Sequence, residues 1–326
     1  MAKKQKFMVE SGNELAAIAA SQINYHVMGY FPITPSTQIA EHLDELKANG
    51  KNTVNMVPGD GEHGAAGISF GASTAGGRVL NATSANGLLY AMEQLPVQSH
   101  ARFPMVLNVV NRTVSGPLDI KCDHSDVMMA LNTGWLIMMA KNPQEVYDLN
   151  LFALKIAEDE NVRLPMIISS DGFFTSHQKR RVSVFENEKD VQDFVGKYKQ
   201  MLTSTDSKNP ISIGCYMNDP DLGNNHYQLS EVMKNSKSVF KKVFKEFEKF
   251  SGRKYDLIGQ IDNKDADVII FAAGSSVQTV ITAVENLRKQ GKKVGVVWPT
   301  VIRPFPAEEL VEATKNAKVI VALDRN

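Results

Sequence analysis

At 326 residues, with 36 basic and 36 acidic side chains and no formal net charge, the chain has no electrostatic footprint for nucleic acid or an acidic membrane surface. Its composition, 43% hydrophobic and 22% charged, is that of ordinary globular protein and suffices to bury a sizeable core. Two cysteines, Cys122 and Cys215, are too few for an iron–sulfur cluster or a disulfide framework, and no apolar run follows the basic start "MAKKQKFMVESGNE", so a reducing, cytoplasmic setting without a membrane span is expected.

In chain order, residues 13–29 read as a helix ending at Gly29, 30–34 as a short strand, and 35–50 as a helix opened by Pro35 and Ser36 and closed at Gly50. "NTVNMVP" reads as a strand. "EHGAAGISFGASTAGG" follows as a helix of small residues, which implies that another backbone packs tightly against it. "RVLNATS" is the next strand, "NGLLYAMEQLPVQSHARF" a helix interrupted at Pro96, and "PMVLNVVNR" a strongly apolar strand. Residues 125–161 supply further strand and helix, and "LPMIISSDGF" a buried strand. From about Val182 to Tyr255 the texture turns polar and lysine-rich, with apolar positions recurring at helical spacing, as on a helix with a solvated face. From Ala266 a second βαβ pattern begins: strand, helix, the strand "KKVGVVWPTVIRPF", helix, and the strand "KVIVALDRN". The alternation predicts an α/β fold built on a mostly parallel sheet with helices on both faces. It divides into residues 1–255, with a helical, lysine-rich extension from about 182, and a second α/β unit, 256–326. That unit ends on an uncovered strand, so it is expected to be incomplete.

Five constellations can carry chemistry. Glu62 stands where a strand turns through "PGDG" into the small-residue helix, at the C-terminal end of a parallel strand where ligands bind; loss of hydration there suits a carboxylate to proton exchange. A carboxylate that merely favours a helix dipole is the competing reading. "GDG", Gly59–Gly61, followed by Asn86, has the outline of a magnesium site, but Pro58 intervenes before it and Glu62 and His63 follow directly. Arg112 emerges from the apolar strand, a fork-shaped donor suited to a carboxylate. "CDHSD", Cys122–Asp126, lacks zinc spacing, and turn and capping bonds by Asp123 and Ser125 account for it. Thr83 and Ser84 could hold a ligand through their hydroxyls, although a helix cap accounts for them equally.

Taken together, "YFPITPST", "GEHGAAG", "NATSANGLL", "NRTVSGPLDIKCDHSDVM" and "SDGFFTSH", in this order, resemble the α-subunit of the pyruvate:ferredoxin oxidoreductases and the wider 2-oxoacid:ferredoxin oxidoreductase family. "WPTVIRPFPAEEL" leading to "ALDRN" is similar to that family's transketolase C-terminal-like domain. The resemblance implies a pyrimidine-binding domain for thiamine diphosphate, with Glu62 bonded to the aminopyrimidine ring and Ser84 also at the cofactor. It implies that Thr34 and Arg112 engage the 2-oxo acid, and that the loop from Thr113 to Ile120 shapes the pocket around its side chain. No metal ligand is expected on this chain. Magnesium and 4Fe-4S clusters are expected on partner subunits: a diphosphate-binding β, a ferredoxin-like δ and a γ subunit. Ferredoxin or flavodoxin is the expected electron carrier and coenzyme A the acyl acceptor. Pyruvate is the first substrate choice, because Thr34 is retained and "PLDIKCDHSD" resembles pyruvate-type subunits; branched-chain, aryl and 2-oxoglutarate acids are the alternatives. A self-contained decarboxylase using Asp60 and Asn86 for magnesium, and a non-catalytic scaffold subunit, are the competing functions.

Overall fold

A computed structural model describes residues 2–198, 200 and 202–325. Met1, Lys199 and Met201 of the polar segment, and Asn326 of the closing motif lie outside the described residues. The chain opens with β1 (Gln5–Glu10) and α1 (Gly12–Ile23). There follow β2 (Val27–Tyr30), α2 (Thr37–Ala48), β3 (Asn55–Pro58), α3 (Glu62–Thr74), β4 (Val79–Thr83), α4 (Ala85–Ala91), α5 (Gln94–His100), β5 (Val106–Asn111), α6 (Ser125–Met129), β6 (Leu136–Ala140), α7 (Pro143–Ala157) and β7 (Met166–Asp171). β8 (Arg180–Phe185) returns antiparallel to β1, ahead of α8 (Glu188–Val195) and the 31-residue α9 (Asp221–Ser251). The rest of the chain, the stretch expected as a second unit, contains β9 (Ile258–Ile261), β10 (Val268–Phe271), α10 (Ser276–Lys289), β11 (Val294–Pro299), β12 (Val301–Arg303), α11 (Ala307–Thr314) and β13 (Val319–Ala322).

Seven strands form the main sheet in the order β12-β6-β7-β5-β4-β2-β3. Its pairs from β6 to β3 are parallel, as the alternating pattern requires, because each strand is joined to the next by a helical crossover. The second sheet runs β13-β10-β11-β9, with β13, β10 and β11 parallel and β9 an antiparallel edge. Both faces of the main sheet are covered, and its central strands β5, β6 and β7 are buried at every position. Among the described residues no helix is long and apolar enough to cross a membrane.

Four local readings of the sequence are corrected by the structure. α1 ends at Ile23, where Asn24 turns left-handed (φ 60°) and its N–H bonds back to Ala20 and Ser21, so Gly29 belongs to β2 and closes no helix. Gly29 is required for another reason: a Cβ there would lie 2.6 Å from the Ala65 carbonyl of α3. This is the tight packing that the small residues of α3 implied. Pro35 precedes α2 and does not open it, and Ser36 closes a turn by donating both N–H (2.8 Å) and Oγ (2.9 Å) to the Ile33 carbonyl. Pro96 lies in the first turn of α5, where a missing N–H costs nothing; α4 and α5 part before it, at Met92–Glu93, where the backbone stays helical in its dihedrals. "KKVGVVWPTVIRPF" is two strands in two sheets. At Thr300 the chain leaves β11 and adds β12 antiparallel to β6.

The lysine-rich segment behaves as its period predicts. α9 buries Phe240, Val243, Phe244 and Phe247 and turns its lysines outward. Phe152 of α7 meets Phe244, Phe247 and Tyr255 edge-on at 5.1–5.4 Å. Beneath them the fully buried Asp148 accepts from Arg253 Nε (2.6 Å), Arg253 Nη2 (2.8 Å), Tyr255 OH (2.6 Å) and Gln144 Nε2 (3.2 Å).

Candidate active site

In the main sheet β3 follows β2 on one side, whereas β4 and β5 lie on the other, so the winding reverses between β2 and β4. Loops diverge at such a point and leave a crevice at the strands' C-terminal ends. The segments bearing Thr34, Glu62, Ser84 and Arg112 leave β2, β3, β4 and β5 there, in that order.

The loop after β2 is held from below. Asn13, buried on α1, donates Nδ2 to the Pro35 carbonyl (2.7 Å) and to Gln38 Oε1 (3.0 Å). Pro35 Cγ lies where a Cβ on Gly172 would come within 2.9 Å, so the end of β7 also backs this turn. Thr34 itself is exposed, and its hydroxyl makes no hydrogen bond among the described residues. Its carbonyl accepts from Arg112 Nη1 at 2.9 Å, which joins the two residues expected at the substrate.

Arg112 is buried, and its Nε has no partner among the described residues. Burial lowers its pKa from the ordinary value, opposed by the carboxylates of Asp126 and Glu62, which places Glu62 within electrostatic reach. Its backbone N–H donates to Asp126 Oδ2 (3.0 Å). Asp126 also accepts from Ala85 N (2.9 Å), Asn111 Nδ2 (2.8 Å) and Val127 N (2.7 Å) and so ties the ends of β4 and β5 to α6. Burial raises the Asp126 carboxyl's pKa against the pull of these donors.

Glu62 is the half-buried first residue of α3. A Cβ on Gly87 would lie 2.5 Å from Glu62 Oε1 and 2.6 Å from Thr83 Oγ1, so both oxygens converge on a place that only glycine leaves open. The hydroxyls of Thr83 and Ser84 are buried and have no partner among the described residues. Ser84 occupies the N-cap of α4 yet makes no side-chain capping bond, so the cap reading fails for it. A cavity of about 20 Å³ beside Glu62, Thr83 and Trp135 has room for about one water. A larger ligand at Glu62 therefore lies on the open side of this chain.

Ile120 lies exposed on the loop that leaves β5, and the near part of that loop is tied down by Asn86, whose Oδ1 accepts from Ser115 N (2.8 Å). Of the two residues in the outline of a magnesium site, Asn86 holds this loop and Asp60 lies against Gly64 of α3. Asp123 accepts from Ser125 N (2.6 Å), the turn bond its position predicts. Cys122, His124 and Asp171 place ligand atoms within 4.8 Å of one another. Their atoms are otherwise engaged: His124 Nε2 bonds Asp171 Oδ1 (3.0 Å), Asp171 Oδ2 takes Ser275 and Arg325, and burial pushes the Cys122 thiol pKa far up. Sequence reasoning missed the roles of Asp126, Asn86, Gly87 and Asp171. All four lay inside segments already singled out, but nothing in their spacing revealed these partners, and for Asp126 nothing revealed four donors.

Comparison with known proteins brings these residues into a family. The family model described as "Pyruvate flavodoxin/ferredoxin oxidoreductase, thiamine diP-bdg" matches residues 18–245, and "Pyruvate:ferredoxin oxidoreductase core domain II" matches 266–326. The chain is 39% identical over 319 residues to the pyruvate synthase subunit PorA of Thermotoga maritima, covering 97% of this chain and 80% of that protein. It is also 39% identical over 321 residues to the ketoisovalerate oxidoreductase subunit VorA of Pyrococcus horikoshii, covering 98% of this chain and 80% of that protein. In structure it is similar to a 2-oxoglutarate:ferredoxin oxidoreductase from Magnetococcus marinus, solved with 2-oxoglutarate, coenzyme A and succinyl-CoA bound. The TM-score is 0.77 at 19% identity, over 99% of this chain and 58% of that one. A split-gene transketolase shares the fold more loosely, with a TM-score of 0.56 at 11% identity, over 96% of this chain and 79% of that one.

Proposed function

The chain belongs to the pyruvate:ferredoxin oxidoreductase family, and from that premise we propose that it is the α-subunit of a thiamine diphosphate-dependent 2-oxoacid:ferredoxin oxidoreductase. Its reaction converts pyruvate, coenzyme A and oxidised ferredoxin to acetyl-CoA, carbon dioxide and reduced ferredoxin. The observation that carries this reading is the convergence of Glu62, Thr83, Ser84 and Arg112 on one crevice, with three of their buried polar atoms left without partners among the described residues. Orphaned buried donors and hydroxyls are costly unless a ligand completes them.

These residues fit the pyrimidine half of the cofactor. Thiamine diphosphate, when bound, supplies the carbon nucleophile and the electron sink that decarboxylation of a 2-oxo acid needs. Glu62, brought over Gly87, hydrogen-bonds the aminopyrimidine ring and shares a proton with it, and Ser84 contacts the same ring system. Arg112, already charged and anchored through Thr34 and Asp126, meets the substrate carboxylate with the donor it keeps free. Thr34 offers its unengaged hydroxyl beside it, and Ile120 borders the substrate side chain. By this reading a partner subunit completes the site on the open side of Glu62. By this reading residues 1–255 are the pyrimidine-binding domain with its helical extension, and 256–326 the transketolase C-terminal-like domain. Magnesium and the 4Fe-4S clusters belong to β, δ and γ subunits, ferredoxin or flavodoxin carries the electrons away, and the complex works in the cytoplasm.

The purified complex reduces a low-potential dye only when 2-oxo acid and coenzyme A are both present. Dye reduction without either component removes the reading. The VorA relative, as similar as the PorA relative, supports 2-oxoisovalerate as the second substrate. The ratio of kcat/KM for the two acids decides: pyruvate is expected to win, and a ratio favouring the branched acid reassigns the substrate.

A further inference from the structure

The loop from Thr113 to Cys122 is fastened near its start by Asn86 and Asp126, and Leu118 and Ile120 lie exposed along it. Its far end runs into His124, which is buried and bonded through both its ring and its backbone N–H. The ring Nε2 faces Asp171 Oδ1 at 3.0 Å and must carry the proton, because an ionised carboxylate only accepts. The backbone N–H donates to the Arg325 carbonyl at 3.1 Å.

Asp171, fully buried at the end of β7, collects the rest of its partners from the second unit. Ser275 gives it both its backbone N–H (2.8 Å) and its Oγ (2.6 Å), and Arg325 Nη1 lies 3.0 Å away. Gly274 adopts a left-handed φ of 59°, and a Cβ there would run into the Asp171 carboxylate. The Arg325 guanidinium is also held over the Phe174 ring, 4.8 Å from its centre. The next residue after Asp171 is Gly172, which backs the Thr34–Pro35 turn and donates its N–H to the Asn111 carbonyl (3.1 Å). One buried carboxylate therefore lies under both walls of the crevice: the Thr34 turn through Gly172, and the Ile120 loop through His124.

We propose that Ser275 and Arg325 are positioning residues for the substrate site, through which the second unit, acting on Asp171 and His124, fixes the wall that faces the side chain of the 2-oxo acid. This deepens the functional reading above and rests on it for the identity of the substrate. Neither residue touches the reacting atoms, and both act through Asp171. The expected signature is a change in KM and in side-chain discrimination with chemistry left in place.

Arg325→Met and Ser275→Ala, with Arg325→Lys as the conservative variant, are prepared in the assembled complex. Each is assayed with pyruvate and with 2-oxoisovalerate, and each is digested with trypsin to follow cleavage after Lys121 by mass spectrometry. Arg325→Met raises the KM for pyruvate about 3–10-fold with kcat within about twofold, and changes the kcat/KM ratio of the two acids at least about threefold. It also speeds cleavage after Lys121. Arg325→Lys restores part of each change, and Ser275→Ala moves all of them in the same direction by less. Faster cleavage with unchanged KM and ratio overturns the proposal, as does a raised KM with unchanged cleavage or a fall in kcat alone. A wild-type complex that turns over neither acid counts against the functional reading instead, and the tryptic rates still decide whether the second unit holds the loop.

Discussion

Two buried ionic centres in this chain differ in one respect that separates architecture from function. Asp148, under the aromatic cluster of α7 and α9, receives four donors from Arg253, Tyr255 and Gln144. Among the described residues Arg112, buried at the end of β5, keeps Nε unpaired, and the Thr83 and Ser84 hydroxyls beside the neighbouring strand are unpaired too. A buried polar group without a partner is costly. The saturated centre holds the fold; the unsaturated one is where we propose that a ligand binds.

The contrast can be broken most sharply at Glu62. Glu62→Gln is expected to lower kcat about 10²–10⁴-fold with the unfolding midpoint unchanged, and full turnover in that variant removes Glu62 from the chemistry. On the saturated side, Asp148→Ala leaves Arg253 without its partner and is expected to cost about 3–5 kcal/mol of stability, measured by denaturant unfolding. A loss below about 1 kcal/mol would erase the distinction drawn here. Arg112→Lys keeps the charge but loses the fork; kcat/KM is expected to fall roughly 10–100-fold, with a stability change smaller than that of Asp148→Ala. Thr34→Val removes one hydroxyl and is expected to raise the KM for the 2-oxo acid by about 3–10-fold, the worth of one hydrogen bond, with unfolding unaltered.

The smallest effect is one of pH. Burial works to raise the Asp171 carboxyl, but the bonds and charge of His124 and the bonds from Ser275 hold it below the ordinary value. Its contribution is therefore fully present above the unfolded aspartate value of about 3.9 and is lost as pH falls through the lower folded value. Asp171→Asn should flatten that acid limb of the stability curve; an unchanged limb would mean that the carboxylate is not what links the two units.

Much of the fold was legible because hydrophobic period and turn residues act locally. The order of strands and helices, the small-residue face of α3, the outward lysines of α9 and the parallel β10–β11–β13 unit all follow from residues within one or two turns of each other. The misread boundaries at Gly29 and Pro96 have a shared cause: glycine and proline stop helices when nothing else intervenes, but here Asn24 stops α1 first and Pro96 falls in a first turn that tolerates it. The candidate site residues were legible as residue types at strand ends. Their partners were not, since Asp126, Asn86 and Ser275 lie 14 to 104 residues from the atoms they hold.

By itself the sequence determined the α/β layers, the positions of Glu62, Thr34 and Arg112 at strand ends, and the family to which those motifs belong. Only the tertiary structure decided that β2 and β4 flank the winding reversal and that Gly87 clears space for Glu62. It alone decided that Asn86 holds a loop, and that Asp171 gathers the second unit beneath the crevice. The physical reason is that periodicity and capping are short-range, whereas the satisfaction of a buried polar group depends on whichever distant segment the packing brings within about 3 Å.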